Sequence, residues 1–160
     1  MSKDKLFDLL YELMKNSKRS DRELAKVVDV SQPTITRLRK GLEQINLIRE
    51  YTVLPALDKL GFEVLAFSYV EAGVAQHEGA KTSLSWVAEN SKILFASSGE
   101  GLSGKTLMMI SIHKDFSSFT EFSRELRSVL GPKAVSMESF LVSLKTEVIK
   151  HFSFRDLERI

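Results

Sequence analysis

The 160-residue chain contains no cysteine, which excludes a disulfide framework and any thiolate metal site. Its three histidines, His77, His113 and His151, are scattered and never fall at ligand spacing. No metal site is expected from them, and each reads as a surface or strand-end residue. No apolar run approaches the roughly 18 to 20 residues needed to span a bilayer, and the opening MSKDKLFDLL lacks the apolar stretch of a signal peptide. The expectation is a soluble cytoplasmic protein with no membrane partner. A last shortage is local: Ser31 to Leu42 holds no acidic residue, although it carries Arg37, Arg39 and Lys40.

What is present is a globular composition, 43% hydrophobic and 28% charged, enough for one ordinary domain or two small ones. The net charge of +2 hides a mild asymmetry. Residues 1–50 carry eleven Lys/Arg against eight Asp/Glu, whereas residues 51–160 carry twelve against thirteen.

Leu6, Leu9, Leu10, Leu13 and Met14 recur at helical spacing, which predicts an amphipathic helix over 4–16 that ends at Asn16-Ser17. Ser20 followed by Glu23 is a capping-box pattern and starts a second helix near Asp21, with Leu24, Ala25 and Val28 facing inward. Asp29 tolerates the left-handed backbone of a sharp turn and should break it. Ser31 then caps a third helix with Pro33 in its first turn, and Ile35, Leu38, Leu42 and Ile45 fall on one face.

Beyond the Asn46 turn, Ile48 to Leu54 alternates and is rich in Tyr, Thr and Val, which predicts a linker strand. Pro55 to Leu60 suits one helical turn stopped by Gly61. The remainder reads as strand 63–71, helix 76–90 with Ala80, Leu84 and Val87 on one face, strand 93–97, a glycine-rich turn GEGLSG, and strand 107–113. A helix capped by Asp115 follows, with Phe119, Phe122, Leu126 and Val129 inward and Gly131-Pro132 at its end. The last strand spans 134–144.

That order, β-α-β-β-α-β, is a ferredoxin-like unit with both helices on one face of a four-stranded antiparallel sheet. The fold class is therefore α+β: a (winged) helix-turn-helix domain at 1–47, a linker strand and turn at 48–61, a ferredoxin-like domain at 62–145 and a tail at 146–160. The other sheet face, carrying Leu65, Phe67 and Tyr69 or their alternates, should be buried on a second subunit. Trp86, the phenylalanines of the helix after Asp115 and Met108-Met109 read as core. The tail is too apolar to float freely and should pack on its own domain or on a partner.

Two short helices around a tight turn, small Ala25 at their crossing and a basic outer face together make a helix-turn-helix that enters a DNA major groove. There Gln can pair with adenine and Arg with guanine, while Lys, Ser and Thr hold phosphates. Gln32, Pro33, Thr36 and Arg37 are the expected base-facing residues. Lys18, Arg19, Ser31, Thr34, Arg39 and Lys40 are the expected phosphate contacts. Two amphipathic helices around a turn also occur in small α domains that never touch DNA.

One motif competes. GEGLSGKT, residues 99–106, fits the phosphate-binding pattern G-x-x-x-x-G-K-[ST], but that site needs a helix starting at the Lys-Thr pair. TLMMISIH reads instead as a strand, so nucleotide hydrolysis is not expected. Gly99, Gly101, Ser103 and Gly104 remain a candidate effector cradle, set against the simpler reading that the glycines only serve the turn.

The stretch RELAKVVDVSQPTITRLRKGLEQINLI, then REYTVLPALDKLGF, and more loosely the pattern after Gly101, resembles the Lrp/AsnC (leucine-responsive/asparagine-operon regulator) family of transcription factors over nearly the whole chain. The resemblance implies a DNA-binding regulator with no cofactor, built as homodimers joined through the sheets and often as tetramers or octamers. It also implies control by a small effector, commonly an amino acid. The family usually has an acidic residue shortly after the glycine before the third strand, whereas Gly101 to Lys114 has none and carries Lys105. Proteins similar to this family act as tetrapyrrole decarboxylases, but no paired His/Arg pocket is recognisable, so no enzyme is expected. A DNA-compacting architectural protein of the same fold, or a ligand-binding or enzymatic protein with a vestigial helix-turn-helix, would share most of these features.

Overall fold

The computed structural model describes residues 3–72, 78–102, 104–131 and 134–157. The chain divides into two compact units, Met1–Leu54 with Lys150–Ile160, and Pro55–Ile149.

Three helices, α1 (Lys3–Lys15), α2 (Asp21–Val28) and α3 (Gln32–Gln44), build the first unit. Local chemistry places the starts and stops of α2. The Ser20 hydroxyl accepts from the Glu23 amide while the Glu23 carboxylate accepts from the Ser20 amide at 2.7 Å, which completes the capping box. At its other end Asp29 turns left-handed, φ 56° and ψ 60°, and its N-H reaches the Ala25 carbonyl. Ser31 occupies the α3 cap position, but its hydroxyl bonds the Thr34 hydroxyl at 2.8 Å and makes no side-chain cap to the backbone.

The apolar stripes of all three helices meet. Leu9, Leu13, Leu24, Ala25, Val28, Ile35, Leu38 and Leu42 form one buried cluster, with Leu6, Leu10, Val30 and Ile48 packed against it. Deleting three buried carbons by Leu38→Ala should cost about 2 to 5 kcal/mol, read as an earlier loss of far-ultraviolet helical signal in urea. Ile45, expected inward, is 59% exposed because α3 ends at Gln44 and Ile45 leaves the helical phase. The expected linker strand at 48–54 also fails to form. These residues are extended, but a strand needs a partner edge for its ladder, and none pairs with them among the described residues.

The second unit begins with a single turn of tighter helix, Asp58–Leu60, closed by left-handed Gly61 at φ 85°. Strands β1 (Val64–Ala72), β2 (Ile93–Gly101), β3 (Lys105–His113) and β4 (Ala134–Ser143) pair antiparallel in the order β2-β3-β1-β4. Helix α4 (Glu78–Glu89) precedes β2 and α5 (Phe116–Leu130) precedes β4. Residues of both helices pack on one face of the sheet, where Val70, Leu107 and Met109 meet Val87, Phe122 and Leu126. The β-α-β-β-α-β order and its ferredoxin-like sheet are as expected.

Three expectations inside this unit need correction. Leu84 is 51% exposed, because α4 turns Ser83, Trp86 and Val87 inward, and the Ser83 hydroxyl donates to the Val129 carbonyl at 2.9 Å. Phe116, in the first turn of α5, is 65% exposed, and Met108 lies half-buried on the opposite sheet face from buried Met109. The glycine-rich turn is shorter than expected, since β2 runs on to Gly101 and takes Gly99 into the strand. The described tail residues stay open in the single chain, which leaves the expected packing on a partner. Ile149, Phe152, Phe154 and Leu157 are all more than half exposed, and the Phe152 and Phe154 rings only meet edge to face at 5.1 Å. Among the described residues of the tail no regular element gathers its apolar side chains on one side.

Candidate nucleic-acid interface

With Ile35, Leu38 and Leu42 turned into the core, the 100° step of a helix decides what α3 presents on its far side. Pro33, Arg37, Lys40 and Gln44 occupy the stripe opposite the buried row, and all four are exposed. Gln44 was absent from the sequence-derived set, although its spacing of four from Lys40 and seven from Arg37 places it there. Arg37 and Lys40 have no ion-pair partner among the described residues.

The flank of the stripe nearer α2 differs. Thr36 donates to Asp21 Oδ2 at 2.8 Å and Arg39 Nη2 donates to Asp21 Oδ1 at 2.8 Å, so one carboxylate holds two α3 side chains. Those donors, Arg39 first, hold the Asp21 carboxyl below its usual range despite partial burial. The Arg39 guanidinium also lies over the Tyr51 ring at 5.8 Å, and the Tyr51 hydroxyl donates to Glu43 Oε1 at 2.9 Å. Gln32 is exposed beside them.

Among the other expected contacts, Lys18 and Ser31 are exposed and Thr34 is half-buried against the Ser31 hydroxyl. Arg19 is half-buried and pairs with Glu12, as does Lys15. Spacing reveals the Lys15–Glu12 pair, three apart on α1, but not the Asp21–Arg39 pair, whose partners lie on different helices.

In the second unit the phosphate-loop reading is excluded by geometry. Lys105 and Thr106 open strand β3, so no helix starts at the Lys-Thr pair, as a phosphate loop requires. The Lys105 ammonium is buried and donates to Ser136 Oγ at 2.9 Å and Glu138 Oε1 at 3.0 Å. Gly101 at φ 138° and Gly104 at φ 85° supply the backbone of the hairpin, and Leu102 beside them adopts φ 41°. Gly99 sits in the exposed edge strand, and Ser103 lies outside the described residues. His113 closes β3 at 1% exposure, His151 is exposed, and His77 lies outside the described residues.

The sheet face turned away from the helices is apolar. Phe140, Phe67, Ile110 and Phe95 pair in register across all four strands, and Phe140 and Phe95 are 68% and 48% exposed. Leu65 and Tyr69 flank Phe67 on the same face of β1. A shallow groove of about 260 Å³ opens between α5 and β4, lined by Phe119, Thr120, Ser123, Arg127, Met137 and Ser139. Among the described residues no helix is long and apolar enough to cross a membrane.

Comparison with known proteins follows the same division. Residues 3–49 match the family described as winged helix-turn-helix DNA-binding. No wing strand follows α3 among the described residues. A helix-turn-helix transcriptional regulator of Pyrococcus horikoshii is 36% identical over 50 residues, which cover 31% of this chain and 34% of that protein. One from Pyrococcus abyssi is 34% identical over 71 residues, covering 44% and 47%. The chain therefore spans less than half the length of these relatives. Two solved structures are similar over nearly the full length: a Neisseria meningitidis transcriptional regulator in complex with L-methionine (TM-score 0.79, 22% identity, 94% of this chain and 93% of that one) and an AsnC family transcriptional regulator from Agrobacterium tumefaciens (TM-score 0.78, 18% identity, 94% of each chain). At these identities the likeness establishes the fold, a helix-turn-helix domain followed by an α+β domain with a four-stranded antiparallel sheet.

Proposed function

We propose that this chain, which has the fold of the AsnC-family regulators and begins with a helix-turn-helix DNA-binding domain, is a sequence-specific transcriptional regulator that works in the cytoplasm as a homodimer or larger oligomer. The observation that carries the reading is the outward stripe of α3, where Arg37 and Lys40 stand exposed with no acidic partner among the described residues. A helix of this kind enters the major groove, where a guanidinium meets guanine O6 and N7 and an ammonium meets phosphate. Gln32, Pro33, Thr36, Arg37 and Gln44 are assigned to the bases, and Lys18, Ser31, Thr34 and Lys40 to the backbone. No residue is assigned a catalytic role.

The stripe holds two free cations, so one copy binds DNA weakly. The apolar row Phe140, Phe67, Ile110 and Phe95 supports pairing of two copies through their sheets. Two reading helices on a twofold axis then address half-sites about 34 Å apart, which makes the operator palindromic.

A small effector fits the same reading. The Neisseria regulator of similar fold was solved with L-methionine. In this chain Lys105 opens β3 and is paired with Glu138, and Gly101 to Lys114 carries no acid, so a carboxylate for an amino group would have to come from outside that stretch.

Selecting bound sequences from a random DNA pool at two salt concentrations tests the function. A palindromic consensus supports it, enrichment without consensus gives the architectural alternative, and no enrichment removes DNA from the account. On the consensus site, Arg37→Ala should cost about 1 to 3 kcal/mol and relax one base position, while Lys40→Ala should weaken all DNA alike in mobility-shift titrations.

A further inference from the structure

We propose that Asp21 is a specificity-determining residue, which withholds Arg39 from DNA phosphates and fixes Thr36 for reading. The inference rests on the DNA-binding reading above and adds a residue outside the helix that does the reading.

Ser31 to Leu42 contains three cations and no acid, so by sequence all three cations are available to DNA. The fold brings an acid in from α2 and an aromatic ring from beyond α3. Asp21, the first residue of α2, has each oxygen 2.8 Å from a donor on α3, Arg39 Nη2 at Oδ1 and Thr36 Oγ1 at Oδ2. On its other side Arg39 covers the Tyr51 ring, and its Nη1 lies 3.5 Å from the Tyr51 hydroxyl that donates to Glu43. The guanidinium is only 21% exposed in its side chain and is paired before any DNA arrives. A charge-assisted bond to a carboxylate in this partly dry site competes directly with a phosphate for the same donors.

The consequence concerns selectivity. Each cation that neutralises a phosphate adds affinity for every sequence alike and makes binding more salt-dependent. Withholding Arg39 lowers that indiscriminate part while Arg37 keeps its reach to the bases. The second oxygen acts on Thr36, which it holds in one rotamer on the flank of the reading stripe, beside its own bond to the Gln32 carbonyl at 3.4 Å. Asp21 thus trades general affinity for discrimination.

The test uses the full-length chain on two probes, its selected site and a random-sequence duplex of equal length, titrated from low to physiological salt. Asp21→Asn keeps the shape and removes the charge. It should raise affinity for the random duplex about threefold to tenfold, steepen the plot of log affinity against log salt by about one, and lower the ratio of specific to random binding. Arg39→Ala should leave the wild-type slope unchanged, and the double variant should return the slope of Asp21→Asn to the wild-type value. A merely structural role for Asp21 changes the active fraction but neither the slope nor the ratio. An unchanged slope in Asp21→Asn, or a slope shallower by about one in Arg39→Ala, overturns the proposal. Arg39→Ala decides the question alone if Asp21→Asn does not fold. Absence of wild-type binding to either probe at low salt instead removes the DNA reading itself.

Discussion

Phe140→Asp is expected to turn the proposed homo-oligomer into monomers and to lower affinity for a two-half-site operator by about a hundredfold to ten thousandfold, the advantage that linkage of two sites supplies. The reasoning starts from exposure. Phe140 is 68% exposed in the single chain, so an aspartate there costs the isolated subunit little. It sits at one end of the in-register row that continues through Phe67 and Ile110 to Phe95. Apolar area of this kind left open to water is the ordinary driving force for association. In a dimer closed through this face, a carboxylate at position 140 would be buried without a partner, at a cost of about 3 to 5 kcal/mol. Sedimentation velocity gives the assembly state, and a mobility shift on one and on two half-sites gives the affinities. An unchanged oligomer would move the interface to another surface, while affinity for a single half-site should not change.

The second large effect concerns acid. His113 is buried beneath α5, with its ring 5.3 Å from Phe119 and 4.9 Å from Phe122. Ser111 Oγ lies 2.9 Å from Nε2, and Nδ1 is buried with no partner among the described residues. Burial, aided by the nearby Lys92 ammonium, pushes the imidazole down to about 4 from an ordinary 6.5. The unfolded chain therefore takes up its proton first. His113 contributes stability that is fully present above pH 6.5 and is lost as pH falls from 6.5 through 4. That difference is worth about 3 kcal/mol at full loss. Trp86 is the only tryptophan and stacks against Phe122 at 6.0 Å in the same core, so its fluorescence reports on this unit alone. Urea titrations followed by Trp86 should show that part of the loss between pH 7.5 and 4 in the wild type and its absence in His113→Leu. An equal acid loss in both proteins would place the titrating group elsewhere.

Much of the local structure was legible in the sequence because its causes lie within a few residues. The capping box at Ser20 and Glu23 and the Asp115 cap depend on side chains reaching nearby backbone, and the stops at Asp29, Gly61 and Gly131 on the positive φ that those residues tolerate. The helical core was legible for a related reason, since Leu24, Ala25, Val28, Ile35 and Leu38 repeat at the period of the element that buries them. The tandem order of strands and helices selected the ferredoxin-like sheet, and the strand character of TLMMISIH already argued against a phosphate loop.

What failed was whatever depended on a neighbour. Leu84 was assigned inward from spacing alone, but α4 rotates to place Trp86 and Val87 on the sheet. Residues 48–54 have strand composition without a strand to pair with among the described residues. The same holds at the candidate site. The sequence by itself determined that α3 would be a basic helix behind a tight turn, because periodicity, capping and turn residues are written in consecutive positions. Only the tertiary structure decided which of its cations are free, because Asp21 and Tyr51 meet Arg39 through the packing of separate segments, and the strength of a charge depends on what the fold places beside it.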